Sequence, residues 1–386
     1  MITDAALAAP FEQAEFASRE DRLLRAIDRD GLAALIVTVP ENIYYLTGFS
    51  TPAYYSAQAL LVQPGKSIVL YVYASEAEGV AQTTYLEQVE SYGPEDDPWL
   101  LFADLLRRRG LAGKRVGLEL RSPFFNVAAF EKLRAAAGLD PVESSAMLEQ
   151  QRMVKSDAEV GYIREAARVA SEAMRAVADT IHAGATESDM AAAAYAASIQ
   201  AGGEFPGSPP YISTGWRTTL PHASWTTRRI DAGDLAYTEL SGCVRRYSAA
   251  LMRTFTLGDL APVLERLEQA TIAGLDAAIA ALRPGATSAS VDAACRDRLR
   301  AEGFEYPHET GYSIGVAYPP GWNETHVFNL KPNDTREVQA NMTFHLVPHV
   351  IVPGVGTVGL SETVLVGESG AEVLTDFPRR VMRLKP

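Results

Sequence analysis

The chain has 386 residues, an apolar fraction of 47% and a formal net charge of −13, a length that calls for two cores rather than one. An acidic chain without a Lys/Arg run excludes an extended nucleic-acid footprint, and no stretch reaches the roughly 20 apolar residues of a membrane span. Cys243 and Cys295 are the only cysteines, too few for a disulfide framework or a Cys-rich metal site. The opening MITDAALAAPFEQAEF carries neither a basic n-region nor a long apolar h-region, so the expected location is the cytoplasm.

In chain order, residues 17–31 place Leu23, Leu24 and Ile27 at helical spacing and stop at Gly31, before an apolar run from Leu32 to Val39. That predicts a helix followed by a strand. Glu41-Asn42-Ile43-Tyr44-Tyr45-Leu46-Thr47-Gly48-Phe49 reads on composition as an aromatic strand, and Tyr54-Tyr55 follows it. Strands around Ala59–Gln63 and Ser67–Tyr73 alternate with helical stretches at Trp99–Arg109 and Asn126–Ala137. The pattern predicts a small α/β layer domain over residues 1–150. Ser156 then stands as an N-cap with Glu159 in the capping-box position, opening a long Ala-rich helix in a second domain, 151–386.

That second domain repeats itself. GATESDMAAAAYAASIQAGGEFP (184–206) aligns without gaps to GATSASVDAACRDRLRAEGFEYP (285–307). Each copy offers a Thr N-cap, an Ala-rich helix, a Gly stop and an aromatic-Pro strand entry. The expectation is two related halves with a cleft between them. The first copy leads to Leu220-Pro221-His222 and then to GDLAYTELSGCVRRYSAALMRTF (233–255). This string reads as a hairpin that turns at Ser241-Gly242 and carries Glu239, with Leu235 and Tyr237 on the same face arguing for burial. The second copy runs into PHETGYSIG (307–315), and the chain closes with MTFHLVPH (342–349) and GLSETVLV (359–366). His308-Glu309 lacks the HExxH spacing of a zinc helix. His345 and His349 flank Pro348 and read as structural rather than as metal ligands.

A Gly-Asp turn, an acidic residue six positions after that Gly, and a return strand ending in Arg253-Thr254-Phe255 resemble the creatinase and aminopeptidase P family, the pita-bread fold; the Tyr44–Phe49 string looks like that family's small N-terminal domain. The resemblance implies an α+β protein with a creatinase-like N-terminal domain and a pita-bread C-terminal domain. Peptidases of this family hold two metal ions on two Asp, one His and two Glu. The matching positions here are Glu239, Ala250, Tyr312, Val347 and Ser361, so one of five keeps a carboxylate. Ala and Val cannot supply a dinuclear shell, and the expected site is free of metal and of any other cofactor. Glu362, one residue past Ser361, is expected to keep a negative group near the cleft.

The strings GYSIG, ELSGC followed by a basic pair, MTFH, and YPPGWNETH (318–326) are most similar to the metal-independent ectoine hydrolase branch, which opens a cyclic amidine. One departure is that Thr325 separates Glu324 from His326. The resemblance implies His222 as general acid/base, with Glu239 as nucleophile or water-orienting group. Trp322 and Glu324 are expected to face an amidinium, with Tyr312, His326 and His345 also binding the substrate, and Arg245, Arg246 or Arg253 holding its carboxylate. A small zwitterion is thus the expected ligand. A homodimer is expected in which Tyr54 and Tyr55 visit the partner's cleft. A creatinase-type amidinohydrolase, a prolidase-type Xaa-Pro metallopeptidase and a catalytically silent binding protein are the competing readings.

Overall fold

The computed structural model describes residues 9–385, so the first eight residues of the opening segment lie outside the described residues. The chain divides into two compact units, Met1–Gln151 and Arg152–Pro386. No helix among the described residues is long and apolar enough to cross a membrane.

The first unit is built on six strands: β1 (Ala34–Val37), β2 (Ala59–Val62), β3 (Val69–Tyr73), β4 (Gln88–Tyr92), β5 (Arg115–Leu118) and β6 (Asp140–Glu143). They lie in the order β4-β3-β2-β1-β5-β6. Every residue of β1 and β2 is buried, because the side chains alternate between two cores. Ala34 and Ile36 join Trp99 and Phe102 on one face, while Leu35 and Val37 join Leu23 and Ile27 on the other. Helices α1 (Gln13–Arg29), α2 (Pro40–Thr47), α3 (Ala77–Thr83), α4 (Pro98–Arg108) and α5 (Val127–Ala137) complete the unit. The aromatic-strand reading of Tyr44–Phe49 is corrected: Pro40 sits at the first helical position of α2, and Gly48 at φ 75° ends it. Both are local signals that outweigh the β preference of the two tyrosines.

α6 (Ala146–Met153) leads into α7 (Asp157–Thr180), whose start carries the complete Ser156/Glu159 capping box. After α8 (Glu187–Gln200) come β7 (Tyr211–Thr214), β8 (Leu235–Val244) and β9 (Tyr247–Leu257), then α9 (Pro262–Ala281) and α10 (Ser288–Ala301). β10 (Gly311–Ser313), β11 (Asn329–Leu330), β12 (Thr343–Leu346), β13 (His349–Val352), β14 (Gly356–Gly359), β15 (Glu362–Val366), β16 (Ala371–Val373) and β17 (Met382–Leu384) follow. They form sheets β17-β9-β8-β7 and β11-β10-β12-β15-β16 and the pair β13-β14.

The internal repeat is visible in the hydrogen bonds. Thr186 caps α8 by accepting from Asp189 N, and Thr287 caps α10 by accepting from Ser290 N. Gly184 N donates to Ile230 O and Gly285 N to Val338 O, both at 2.9 Å. Each pairing is returned at 2.8 Å, Ile230 N donating to Ala185 O and Val338 N to Ala286 O. The two sheets meet where β9 faces the start of β15, with Ala250 N donating to Thr363 Oγ1 at 2.9 Å and Met252 N to Ser361 Oγ at 2.7 Å.

The β8-β9 hairpin turns later than the residue pattern suggests. Arg245 and Arg246, at φ 48° and 62°, form the turn, and both of their N–H groups donate to the Glu204 carboxylate at 3.1 Å. Gly242 lies inside β8 for a packing reason: a Cβ there would stand 2.1 Å from Ala166 O of α7.

Candidate active site

In the second unit β7, β8, β10 and the segments flanking them enclose a cavity of about 230 Å³. Its floor is β8. Alternation along that strand brings Tyr237 and Glu239 to one face, and the pairing of Tyr211 with Glu239 sets the next wall. Tyr237 donates its hydroxyl proton to Glu239 Oε2 at 3.0 Å and lies 2.9 Å from Met252 Sδ. Glu239 is 8% exposed. Burial raises its carboxyl to about 7, against the opposing pull of the Tyr237 hydrogen bond.

His222 lines the same cavity. It follows Pro221 in a tight turn at φ 57°, a conformation uncommon outside glycine and costly enough to need support. Its ring rests against Tyr211, centroids 4.9 Å apart. Burial and then nearby His308 hold its pKa below the ordinary histidine value. Sequence reasoning missed His308, Glu309 and His349, all of which line the cavity. His308 lies 3.7 Å from the Glu309 carboxylate. No periodic signal marked His308, because the chain bends at His308 and Thr310 before β10 begins and strand alternation does not reach back to it. His349 packs on Tyr237 with centroids 5.2 Å apart, and its Nε2 is 2.8 Å from Thr357 Oγ1. Burial, His308 and His222 together lower it to about 4.

The far wall is a hydrogen-bonded series. Trp322 Nε1 donates to Tyr312 Oη at 3.0 Å, Tyr312 Oη is 2.8 Å from His345 Nδ1, and His345 Nε2 is 2.6 Å from Ser361 Oγ. Trp322 and Tyr312 line the cavity, and His345 lies fully buried behind them, so its expected substrate contact is corrected to a supporting position.

Four further expectations are corrected. Glu362 is buried away from the cavity, because one residue's step from Ser361 turns its side chain to the other face of the strand. There it accepts from Arg253 at 2.8 Å and Arg379 at 3.1 Å, and from Thr375. Glu324 is fully buried as well, held by Arg152 at 2.5 Å, Lys155 at 3.0 Å and Ser313 at 2.9 Å. Burial pushes its carboxyl up, but the Lys155 and Arg152 charges outweigh burial and hold it at about 2. His326 is exposed and is not part of the cavity wall. Arg253 is buried with Glu362, Arg246 donates to Phe205 O and Ala317 O, and Arg245 stands on the hairpin turn, so none of the three faces the cavity.

Tyr54 and Tyr55 belong to the first unit. Tyr54 packs edge-on against Phe124 at 5.2 Å, and Tyr55 is 71% exposed.

The residues present do not fit a pair of metal ions. Ala250, Val347, Tyr312 and Met252 form one apolar cluster beside Glu239, and Ser361 Oγ is occupied by His345 and by Met252 N. No group of three or more His, Cys, Asp or Glu suited to a metal occurs among the described residues. The ligand positions beside Glu239 therefore lack the bridging and terminal donors that a metal pair needs, and His222, His308, His349 and Glu309 of the wall form no metal-holding group with it among the described residues.

The profile of metallopeptidase family M24 matches residues 161–368, and that of the creatinase/prolidase N-terminal domain matches 19–154. Ectoine hydrolase of Halomonas elongata is 27% identical over 96% of this chain and 98% of that protein. An uncharacterized hydrolase/peptidase, y4tM, of Sinorhizobium fredii is 29% identical over 96% and 98%. Dipeptidase PepE from Mycobacterium ulcerans superposes with a TM-score of 0.83 at 26% identity, covering 97% of this chain and 100% of that one. With both domain profiles in place, and with the pita-bread architecture shared along the whole chain, the protein belongs to the creatinase and M24 family of hydrolases.

Proposed function

We propose that this cavity hydrolyses a C–N bond of a small zwitterionic amidine, with ectoine and hydroxyectoine as the best-fitting substrates, and that it does so without a metal. The observation that carries the reading is Glu239, a single buried carboxylate at the floor of an aromatic cavity where other donors for a metal pair are replaced by Ala250, Val347 and Tyr312. The buried Glu239 carboxylate, with the half-buried Glu309 on the same wall, suits a delocalised cation, and Trp322 and Tyr211 line the cavity with aromatic rings of the kind such a cation prefers. With no Lys or Arg among the described residues of the wall, the imidazoles of His222 and His308 and the Asn323 amide are left to meet the substrate's carboxylate.

An amidinium resists attack because its charge is shared between two nitrogens. Glu239 either takes a proton from water as the C–O bond forms at the amidinium carbon, or forms that bond itself as an ester that water then opens. The ring C–N bond breaks, His222 protonates the departing nitrogen, and both protons of the water end on that nitrogen. The products are an amide and an ammonium group. The full-length similarity to ectoine hydrolase supports this reading over creatine cleavage. Xaa-Pro dipeptidases among the relatives favour a peptidase instead, and the donor set opposes it.

The test is a panel of ectoine, hydroxyectoine, creatine and an Xaa-Pro dipeptide, followed by mass spectrometry for addition of one water. Turnover of the cyclic amidines is expected. Cleavage of the Xaa-Pro dipeptide alone, or of none of the four, overturns the proposal.

A further inference from the structure

We infer that Tyr312 is a catalytic hydrogen-bond donor, its hydroxyl proton aimed into the cavity by a fixed tautomer of His345. Ser361, at 0% exposure, dictates that tautomer. Its Oγ accepts from Met252 N at 2.7 Å, and the only other partner of that oxygen among the described residues is His345 Nε2 at 2.6 Å. If Nε2 carried the imidazole proton, Ser361 would accept twice and its own proton would be left in the protein interior without an acceptor. An orphaned buried hydroxyl loses its water partners and gains nothing in return. If Nδ1 carries the proton, Ser361 donates to Nε2 and every polar hydrogen of the pair is used.

The consequence falls on Tyr312. His345 Nδ1–H then donates to Tyr312 Oη at 2.8 Å, and Trp322 Nε1–H donates to the same oxygen at 3.0 Å. Both lone pairs of the phenol are occupied by donors, so its proton points away from them. Tyr312 is 7% exposed and lines the cavity, the one open direction. Burial keeps the phenol protonated well above its ordinary value, and the imidazole is neutral because burial drives it down to about 3. Tyr312 is therefore a donor and not a base.

This role deepens the proposed amidine chemistry and rests on it. The nitrogens of a bound amidinium are donors only, their lone pairs being delocalised. When the carbon becomes tetrahedral, both nitrogens regain a lone pair; His222 serves the departing one, and the nitrogen that stays in the amide becomes an acceptor for Tyr312. The bond is made in the transition state and not in the ground state, so it belongs in kcat rather than in KM. His345, Ser361 and Trp322 are positioning residues.

The experiment is ¹⁵N–¹H correlation of the imidazole side chains in the full-length protein. His345 is assigned by loss of its signals in His345→Gln or, should that variant not fold, by elimination through Gln substitutions of the other five histidines. A pyrrole-type Nδ1 and a pyridine-type Nε2 are expected across neutral pH, and the reverse pattern overturns the inference. In the second arm, Tyr312→Phe keeps the ring and is expected to lower kcat on a cyclic amidine by roughly a hundredfold with KM changed less than threefold. A change confined to KM overturns the catalytic role. If no cyclic amidine is turned over by the parent protein, the proposed function fails while the tautomer result stands by itself.

Discussion

Glu239 and His222 have their proton affinities inverted relative to free side chains: the carboxyl is raised to about 7 and the imidazole is lowered below its ordinary value. Catalysis by an ionised Glu239 with a protonated His222 then uses a minor form of the free protein, which a cationic substrate favours by drawing Glu239 toward its charged state. Between the two values the gain of ionised Glu239 offsets the loss of protonated His222, so kcat/KM is expected to peak there and to fall as pH drops below the lower value or rises above the higher. NMR titration of His222 in the free protein should give a midpoint below 6.5, and a midpoint above that contradicts the assignment. His222→Ala and Glu239→Gln should each lower kcat by about a hundredfold or more, with substrate binding weakened more at Glu239. The same buried carboxyl weakens the fold. Its folded-state pKa exceeds the unfolded one, so the folded form loses stability as pH rises from 4.5 through about 7. Denaturant titrations at pH 5 and pH 8 are expected to show Glu239→Gln gaining on the parent with pH, by roughly 3 kcal/mol at the upper end. Equal gaps at the two pH values exclude an ionised, desolvated Glu239.

At the scale of elements, the loop carrying Trp322 is fastened from behind by Glu324. Its carboxylate holds Arg152, Lys155 and Ser313, and its N–H donates to Ser313 O at 2.8 Å. Gly315 makes the approach possible, since a Cβ there would stand 2.8 Å from Glu324 Oε2. Removing Lys155 leaves a buried charge half-neutralised, and Lys155→Met is expected to destabilise by about 3–5 kcal/mol in urea unfolding. A loss below about 1 kcal/mol would mean that the pair is solvated. Glu324 shows where the sequence stopped being legible. Its proximity to Trp322 was readable, but the cations that claim it come from Arg152 and Lys155, well over a hundred positions away. Periodicity cannot supply such pairings. Glu239 was legible because burial of a strand face shows in alternation, and Ser156, Thr186 and Thr287 were legible because a cap is a local contract between neighbours. The hairpin turn was misread because Gly242 answers to a helix packed across it, not to a turn.

In the second unit two sequence-related halves each carry a Thr-capped helix followed by segments that line the cavity, and the repeat is legible in the residues themselves because caps and stops recur at fixed spacing. The exposed Tyr55 beside Tyr54 is more aromatic surface than solubility needs. We propose a cytoplasmic homodimer in which that patch meets a second copy. Sedimentation and activity over a dilution series should show both falling together, and a fully active monomer at nanomolar concentration contradicts it. The central claim is hydrolysis by side chains alone on a fold whose relatives include metallopeptidases. It is tested most directly by turnover of ectoine after exhaustive chelation, with elemental analysis of the same sample. An unchanged rate with no stoichiometric transition metal is predicted. A rate abolished by chelation and restored only by added metal contradicts the account.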